Sequence, residues 1–176
     1  MNKELPTKDK CIQLLEDAGC SKKVINHCKA VSRLALKIAE NSRQNVDKNL
    51  VEVGSLLHDI GRCKTHDILH VPKGAKMVEK LGLPNRIVQI VRNHIGAGVD
   101  KDEAEKLGLP YEDFTPKTLE EKIVCHADNL IDGCRRQTIE AEVEEALQNG
   151  LKNYAIKLVK LHKELSDLCG IDLNKI

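Results

Sequence analysis

Aromatic residues are scarce in this sequence: one Phe, two Tyr and no Trp among 176 residues. Single-stranded nucleic acid is gripped by stacking bases on such rings, so a platform of that kind is not expected. Neither charge predominates. Lys and Arg total 28, Asp and Glu total 27, and the net charge is +1. A dedicated nucleic-acid surface would leave a basic footprint that is missing here. A locally basic pocket for a small anion remains compatible with the balance. No run approaches the roughly 18 consecutive apolar residues of a membrane span. The polar start MNKELPTKDK has no apolar stretch behind it, as a secretory signal would.

The seven cysteines, Cys11, Cys20, Cys28, Cys63, Cys125, Cys134 and Cys169, include no Cys-x-x-Cys pair. That removes zinc ribbons and thioredoxin-like redox motifs from consideration. Each reads as a small buried hydrophobe. Free thiols without an export signal point to a cytoplasmic protein. Histidine is the counterpart of these shortages: there are seven, more than twice the number of aromatic rings.

The apolar pattern is helical nearly throughout. A short helix is expected over 8–18, stopped by Gly19. Ser21 caps a longer one over about 22–42, whose inner face reads Val24, Cys28, Val31, Leu34, Ala35 and Ile38, with His27 on that face. Asp47 caps the next, with Leu50, Val53, Gly54 and Leu57 inward, ending around His58-Asp59-Ile60-Gly61. A polar, histidine-rich loop follows over 62–71. Pro72 is expected to open a helix closed by Gly82, and Pro84 to open another carrying Ile87, Ile90, Val91 and His94. Residues 99–117 read as irregular, short of contacts, with one helical turn near 101–107 and a lid as their candidate role. Thr118 with Glu121 forms a capping-box pattern for a helix through Gly133. Helices over 138–149 and 152–169 complete an all-α chain of about eight helices, with no strand pattern of usable length.

Four places set metal-ligand residues at the edge of an apolar face: His27, the pair His58-Asp59, His94 and Asp128. An imidazole and a carboxylate at a helix end can reach one cation held beside it, and such a mixed set suits Zn, Mn, Fe, Ni or Co. A carboxylate beside an apolar stripe, as at Asp128, needs a partner, because a buried unpaired charge is costly. A metal, an arginine or backbone amides would each serve.

The segments HCKAVSRLALKIAE (27–40), LLHDIGR (56–62), NHIGAG (93–98) and CHADNLIDG (125–133) resemble, in that order, the motifs of the HD superfamily of metal-dependent phosphohydrolases. The Ile-Gly after His-Asp is similar to its HDIG subgroup, and the chain resembles the small stand-alone HDIG proteins of archaea. The resemblance implies one all-α HD domain over 1–176, with core motifs over 24–136 and the helices of 138–169 packed on it. It also implies a site of one or two divalent cations, Mg included among the candidates. His27, His58, Asp59 and Asp128 match the four-ligand site. His70, which precedes Val-Pro-Lys-Gly-Ala, and His94 match the two further histidines of members holding a second ion. Asp59 would then bridge the two. His66, four residues before His70, competes for that role; the Gly-Ala that follows favours His70. His126 is expected to be structural or to back the site, and His162 to be at the surface.

The implied activity is hydrolysis of a phosphomonoester, phosphodiester or pyrophosphate bond of a nucleotide-type substrate by a metal-activated water. Asp59 is central to it. Arg62 and Lys73 are the candidate cations for the phosphate, with Arg135 and Arg136 as further candidates. A small phosphorylated molecule is the expected partner, with no membrane and no dedicated nucleic-acid surface, and a homodimer is compatible. The alternatives are a non-catalytic metal-containing module that binds a nucleotide and signals, and a di-iron oxygenase on the same scaffold.

Overall fold

The computed structural model describes residues 4–176. Nine α-helices are present among them: α1 (Lys8–Asp17), α2 (Lys22–Asn41), α3 (Lys48–Leu57), α4 (His70–Lys80), α5 (Asn85–Arg92), α6 (Lys101–Lys106), α7 (Leu119–Asn129), α8 (Ile139–Gln148) and α9 (Lys152–Cys169). The expected all-α class holds. The helix starts follow from hydroxyl and carboxylate caps. Thr7, Ser21, Asp47, Thr118 and Thr138 each accept a backbone N–H from three residues on, which satisfies amides that have no partner within the helix. No helix among the described residues is long and apolar enough to cross a membrane.

α2 is the central rod. Val24, Cys28, Val31, Leu34, Ala35 and Ile38 are buried along one side, and it packs on α3 and α7. A neighbouring layer is made by α4 on α5, and α9 closes against α7 and α8. Each fully buried Leu or Ile in this core contributes roughly 1.5–3 kcal/mol by leaving water. A Cβ on Gly54 would sit 2.6 Å from Ile90 Cδ1, so glycine is what lets α3 and α5 approach there.

Several expectations are corrected. Pro72 does not open α4: the helix starts at His70, with Pro72 inside its first turn, where a missing N–H costs nothing. The preceding loop contains a 3-10 turn over Ile60–Cys63. α7 stops at Asn129, and residues 131–136 form a minimal antiparallel hairpin, β1 (Ile131–Asp132) and β2 (Arg135–Arg136), with Ile131 opposite Arg136. The capping box expected at Thr118 and Glu121 is half formed. Thr118 caps, but the Glu121 carboxylate instead accepts from Asn93 Nδ2 at 2.8 Å and Lys117 N at 3.0 Å. The reciprocal box forms at Asp100 and Glu103, at the start of α6.

Residues 99–117 are not short of contacts. Val99, Ala104, Leu109 and Phe114 join Val71 in a small second core, flanked by Ile68, Leu69 and Ile95. Phe114 is buried within it, and Arg92 lies over its ring. Lys157 of α9 holds this segment through Glu103 and the Gly98 carbonyl. Of the cysteines, five are buried as expected, but Cys63 is half-buried and Cys134 is exposed at the hairpin tip.

Candidate metal centre

The helix ends of this bundle converge on one buried cluster. His27 projects from α2, His58 caps the C-terminus of α3 and Asp59 follows it. His70 is the first residue of α4, His94 comes two residues after α5, and Asp128 lies in the last turn of α7. Asp59 is 2% exposed at the centre. Its Oδ2 is 3.8 Å from both His27 Nε2 and His58 Nε2. Its Oδ1 is 3.1 Å from His70 Nε2 and 3.5 Å from His94 Nε2. Asp128 Oδ1 completes the first side, 2.8 Å from His27 Nε2 and 3.4 Å from His58 Nε2. Three overlapping triads with ligand-competent spacing result: His27, His58 and Asp59; His58, His94 and Asp128; Asp59, His70 and His94.

The backbone sets the chemistry of all four rings. His27 Nδ1 donates to the Gly133 carbonyl at 2.6 Å. His58 Nδ1 donates to Ser55, His70 Nδ1 to Asp67 and His94 Nδ1 to Val91, each at 2.7 Å. A carbonyl oxygen only accepts, so the proton of each neutral ring resides on Nδ1. In the neutral form each ring then turns an Nε2 lone pair to the interior, in the orientation that a second-shell acceptor imposes on metal-bound histidine; without a metal, His27 Nε2 pairs with Asp128 Oδ1 at 2.8 Å. His70 Nε2 and His94 Nε2 face each other at 3.3 Å. Two lone pairs at that distance repel unless a cation stands with them. His58 Nε2 and Asp59 Oδ1 have no hydrogen-bond partner among the described residues. Orphaned buried acceptors of this kind fit a divalent cation or a pair of them.

Electrostatics follow the same geometry. Burial resists the charged form of Asp59, but the charge of His58 and the nearby imidazoles of His70 and His94 outweigh it and hold the carboxyl well below its usual range. Asp128 is lowered likewise, against its own burial, by His58 and His27. For His58 burial opposes protonation, yet Asp59 and Asp128 together raise it well above the ordinary imidazole value. Burial pushes His94 down.

The candidate residues separate in space. His70 is buried in the cluster, whereas His66 is exposed. Arg62 reaches the centre: its Nε donates to Asp59 Oδ2 at 2.5 Å and its Nη1 to the His66 carbonyl. Lys73 is exposed on α4, with no side-chain hydrogen bond or ion pair to the cluster. Arg136 is spent on structure, donating to the carbonyls of Leu130, Gln137 and Leu173, and Arg135 is exposed. His162 is not a surface residue. It joins buried His126 at 2.9 Å and Asp172 at 3.1 Å in a short chain behind α7. Burial lowers His126 to about 3. The Gly133 carbonyl escapes sequence reading, because a backbone acceptor has no residue signature.

Comparison with known proteins identifies the family and the fold. The HD domain family model matches residues 24–131. The chain is 44% identical over 174 residues to the tRNA (cytidine(56)-2'-O)-methyltransferase of Thermoplasma volcanium, covering 99% of this chain and 51% of that protein. It therefore spans about half the length of that relative. An uncharacterized protein of Methanocaldococcus jannaschii is 43% identical over 165 residues, covering 91% of this chain and 97% of that one. Among solved structures, the HD domain of the L. monocytogenes phosphodiesterase PgpH, in complex with cyclic-di-AMP, superposes with a TM-score of 0.57 at 16% identity, covering 92% of this chain and 96% of that one.

Proposed function

The chain belongs to the HD domain family, and from that premise we propose that it is a metal-dependent phosphohydrolase acting on a phosphoester of a nucleotide-type substrate. His27, His58, Asp59 and Asp128 would hold one divalent cation; Asp59, His70 and His94 would hold a second. The observation that carries this reading is that the Nε2 atoms of four histidines converge on one buried carboxylate at ligand spacing, with His58 Nε2 and Asp59 Oδ1 left without a hydrogen-bond partner. When bound, a divalent cation supplies a nucleophilic hydroxide near neutral pH and polarises the phosphoryl oxygen.

The protein's own groups do the rest. The four carbonyl-bound Nδ1 protons lock the rings so that no rotation is needed to meet the cation. Asp59 offers one oxygen to each side and ties the two sides together. Arg62 orients Asp59 through Nε and also donates through Nη1 to the His66 carbonyl, which leaves its Nη2 for a phosphate oxygen. Lys73 is kept as a weaker candidate for the phosphate, because its side chain is flexible and exposed on the turn after His70.

The test is a phosphate-release screen over nucleotides with Mn, Fe, Ni, Co and Zn, beside metal analysis of the purified protein. One or two ions per chain and turnover of at least one substrate are expected. Metal retained with silence across every substrate would favour the non-catalytic nucleotide-binding module.

One observation favours a second reading of the substrate. The chain aligns with about half of a protein named for methylating a tRNA cytidine. In that reading the phosphoester lies in an RNA, and including short RNA oligonucleotides in the same screen distinguishes it.

A further inference from the structure

We infer that the cavity formed between the 95–109 segment and the start of α9 receives the nucleoside part of the substrate, an assignment that rests on the phosphohydrolase reading above. The cavity has a volume of about 510 Å³, within the range of small-molecule sites. Its walls are mainly apolar, built from Ile68, Ile95, Val99, Leu107, Leu151 and Tyr154.

Its position ties it to the metal centre through the chain. Ile68 stands two residues before His70, and Ile95 directly follows His94. The next residue, Gly96, lines the cavity and presents its carbonyl to Cys125 Sγ at 2.9 Å and to Asn129 Nδ2 at 2.7 Å. Asn129 adjoins Asp128. Tyr154 lies so close to Gly96 that a Cβ there would come within 2.8 Å of its ring, and its hydroxyl is 3.3 Å from Asn129 Oδ1. One wall thus belongs to the segments that present two of the candidate ligands, His70 and His94.

The chemistry of the lining selects the occupant. Tyr154 is the sole aromatic ring in it, and the other large walls are aliphatic. A heterocycle can rest on such surfaces by apolar contact. Leu107 and Leu151 are 47% and 50% exposed. Both line the cavity, where a ligand would cover them. The ammonium of Lys157 is held by Glu103 and the Gly98 carbonyl, but Lys106 and Lys152, which also line the cavity, have no ion-pair partner among the described residues. A neutral ring system carrying an anionic group matches an apolar wall with a cationic rim. A purely apolar ligand leaves both lysines unexplained.

The test is titration of adenosine, guanosine, cytidine and uridine into the metal-loaded protein, followed by calorimetry or chemical-shift change. At least one nucleoside is expected to bind. The double variant Leu107→Asp with Leu151→Asp should weaken it about tenfold while leaving the metal content unchanged. Both positions are half-exposed, so the fold tolerates the change, which circular dichroism checks. Absence of nucleoside binding, or equal binding by the variant, overturns the assignment. Nucleoside binding lost in the variant, with no phosphate released from any nucleotide, upholds the cavity and rejects the hydrolase reading instead.

Discussion

A Cβ placed on Gly61 would lie 1.9 Å from the carbonyl oxygen of His70 and 2.7 Å from Gly74 N. The turn after Asp59 is therefore in backbone contact with the first turn of α4. That contact brings His70 within reach of Asp59, and it accounts for glycine at both 61 and 74. The substitution Gly61→Ala must push α4 away, since backbone atoms cannot yield as a flexible side chain does. It is expected to lower stability by about 3 kcal/mol or more and to reduce metal content. A melting temperature equal to that of the unmodified protein would contradict the close approach.

Asp59 faces both sides of the cluster, whereas His70 Nε2 lies nearest its Oδ1, at 3.1 Å. Asp59→Ala should abolish binding of every ion. His70→Ala should remove one ion of two and spare the other, because its ring meets only Oδ1. Elemental analysis after gel filtration reads both outcomes. Full metal content in Asp59→Ala would refute the bridging role.

The titrating groups predict how the metal-free protein responds to pH. Asp59 and Asp128 are lowered, so their stabilising contribution is present above the unfolded carboxylate value of about 4 and is lost as pH falls through their folded values. His58 is raised. Its contribution is complete below the unfolded value of about 6.5 and is lost as pH rises through the higher folded value. His94 and His126 are lowered, so both cost stability as pH falls below the unfolded value of about 6.5. The metal-free protein should thus be most stable near about pH 6.5, and weaken toward acid and above neutrality. A bound metal replaces the His58 proton, so the loaded protein should not show that alkaline decline, and loading should release protons near pH 7. Urea midpoints from pH 5 to 9, with and without metal, check the sign. An alkaline gain in the metal-free form would reverse the assignment.

Phe114 is 1% exposed in the small second core. Phe114→Ala should cost about 3 kcal/mol by leaving a void. It should also loosen residues 99–117 ahead of the rest of the chain, seen as faster amide hydrogen exchange there. Exchange rates unchanged in that segment would mean that Lys157 and its partners, and not the phenyl ring, hold it.

The sequence made the centre legible where ligands interrupt an apolar face. His27 sits among Val24, Cys28 and Val31, and Asp128 follows Val124 by one turn. It placed several helix starts well, because Ser21, Asp47 and Thr118 act within three residues of themselves. His70 came into view through a family resemblance and not through periodicity. What failed was long-range. The 131–136 hairpin has two residues per strand, too few to show alternation. His126 and His162 meet only because α9 packs on α7. The 99–117 segment looked loose because its glycines and charges hide the apolar residues that pack on Val71.

Ser55, Asp67, Val91 and Gly133 share no side-chain chemistry, yet each clamps one imidazole through its carbonyl. In three of the four the clamp comes from the residue three positions earlier in the same turn. The tautomer is consequently a property of chain path, indifferent to which amino acid supplies the oxygen. Three of those clamping positions are set by chain path alone, whereas the fourth, at φ +59°, also favours glycine. A search for the centre by residue identity at its supporting layer would find no pattern, while a search by backbone geometry would find all four.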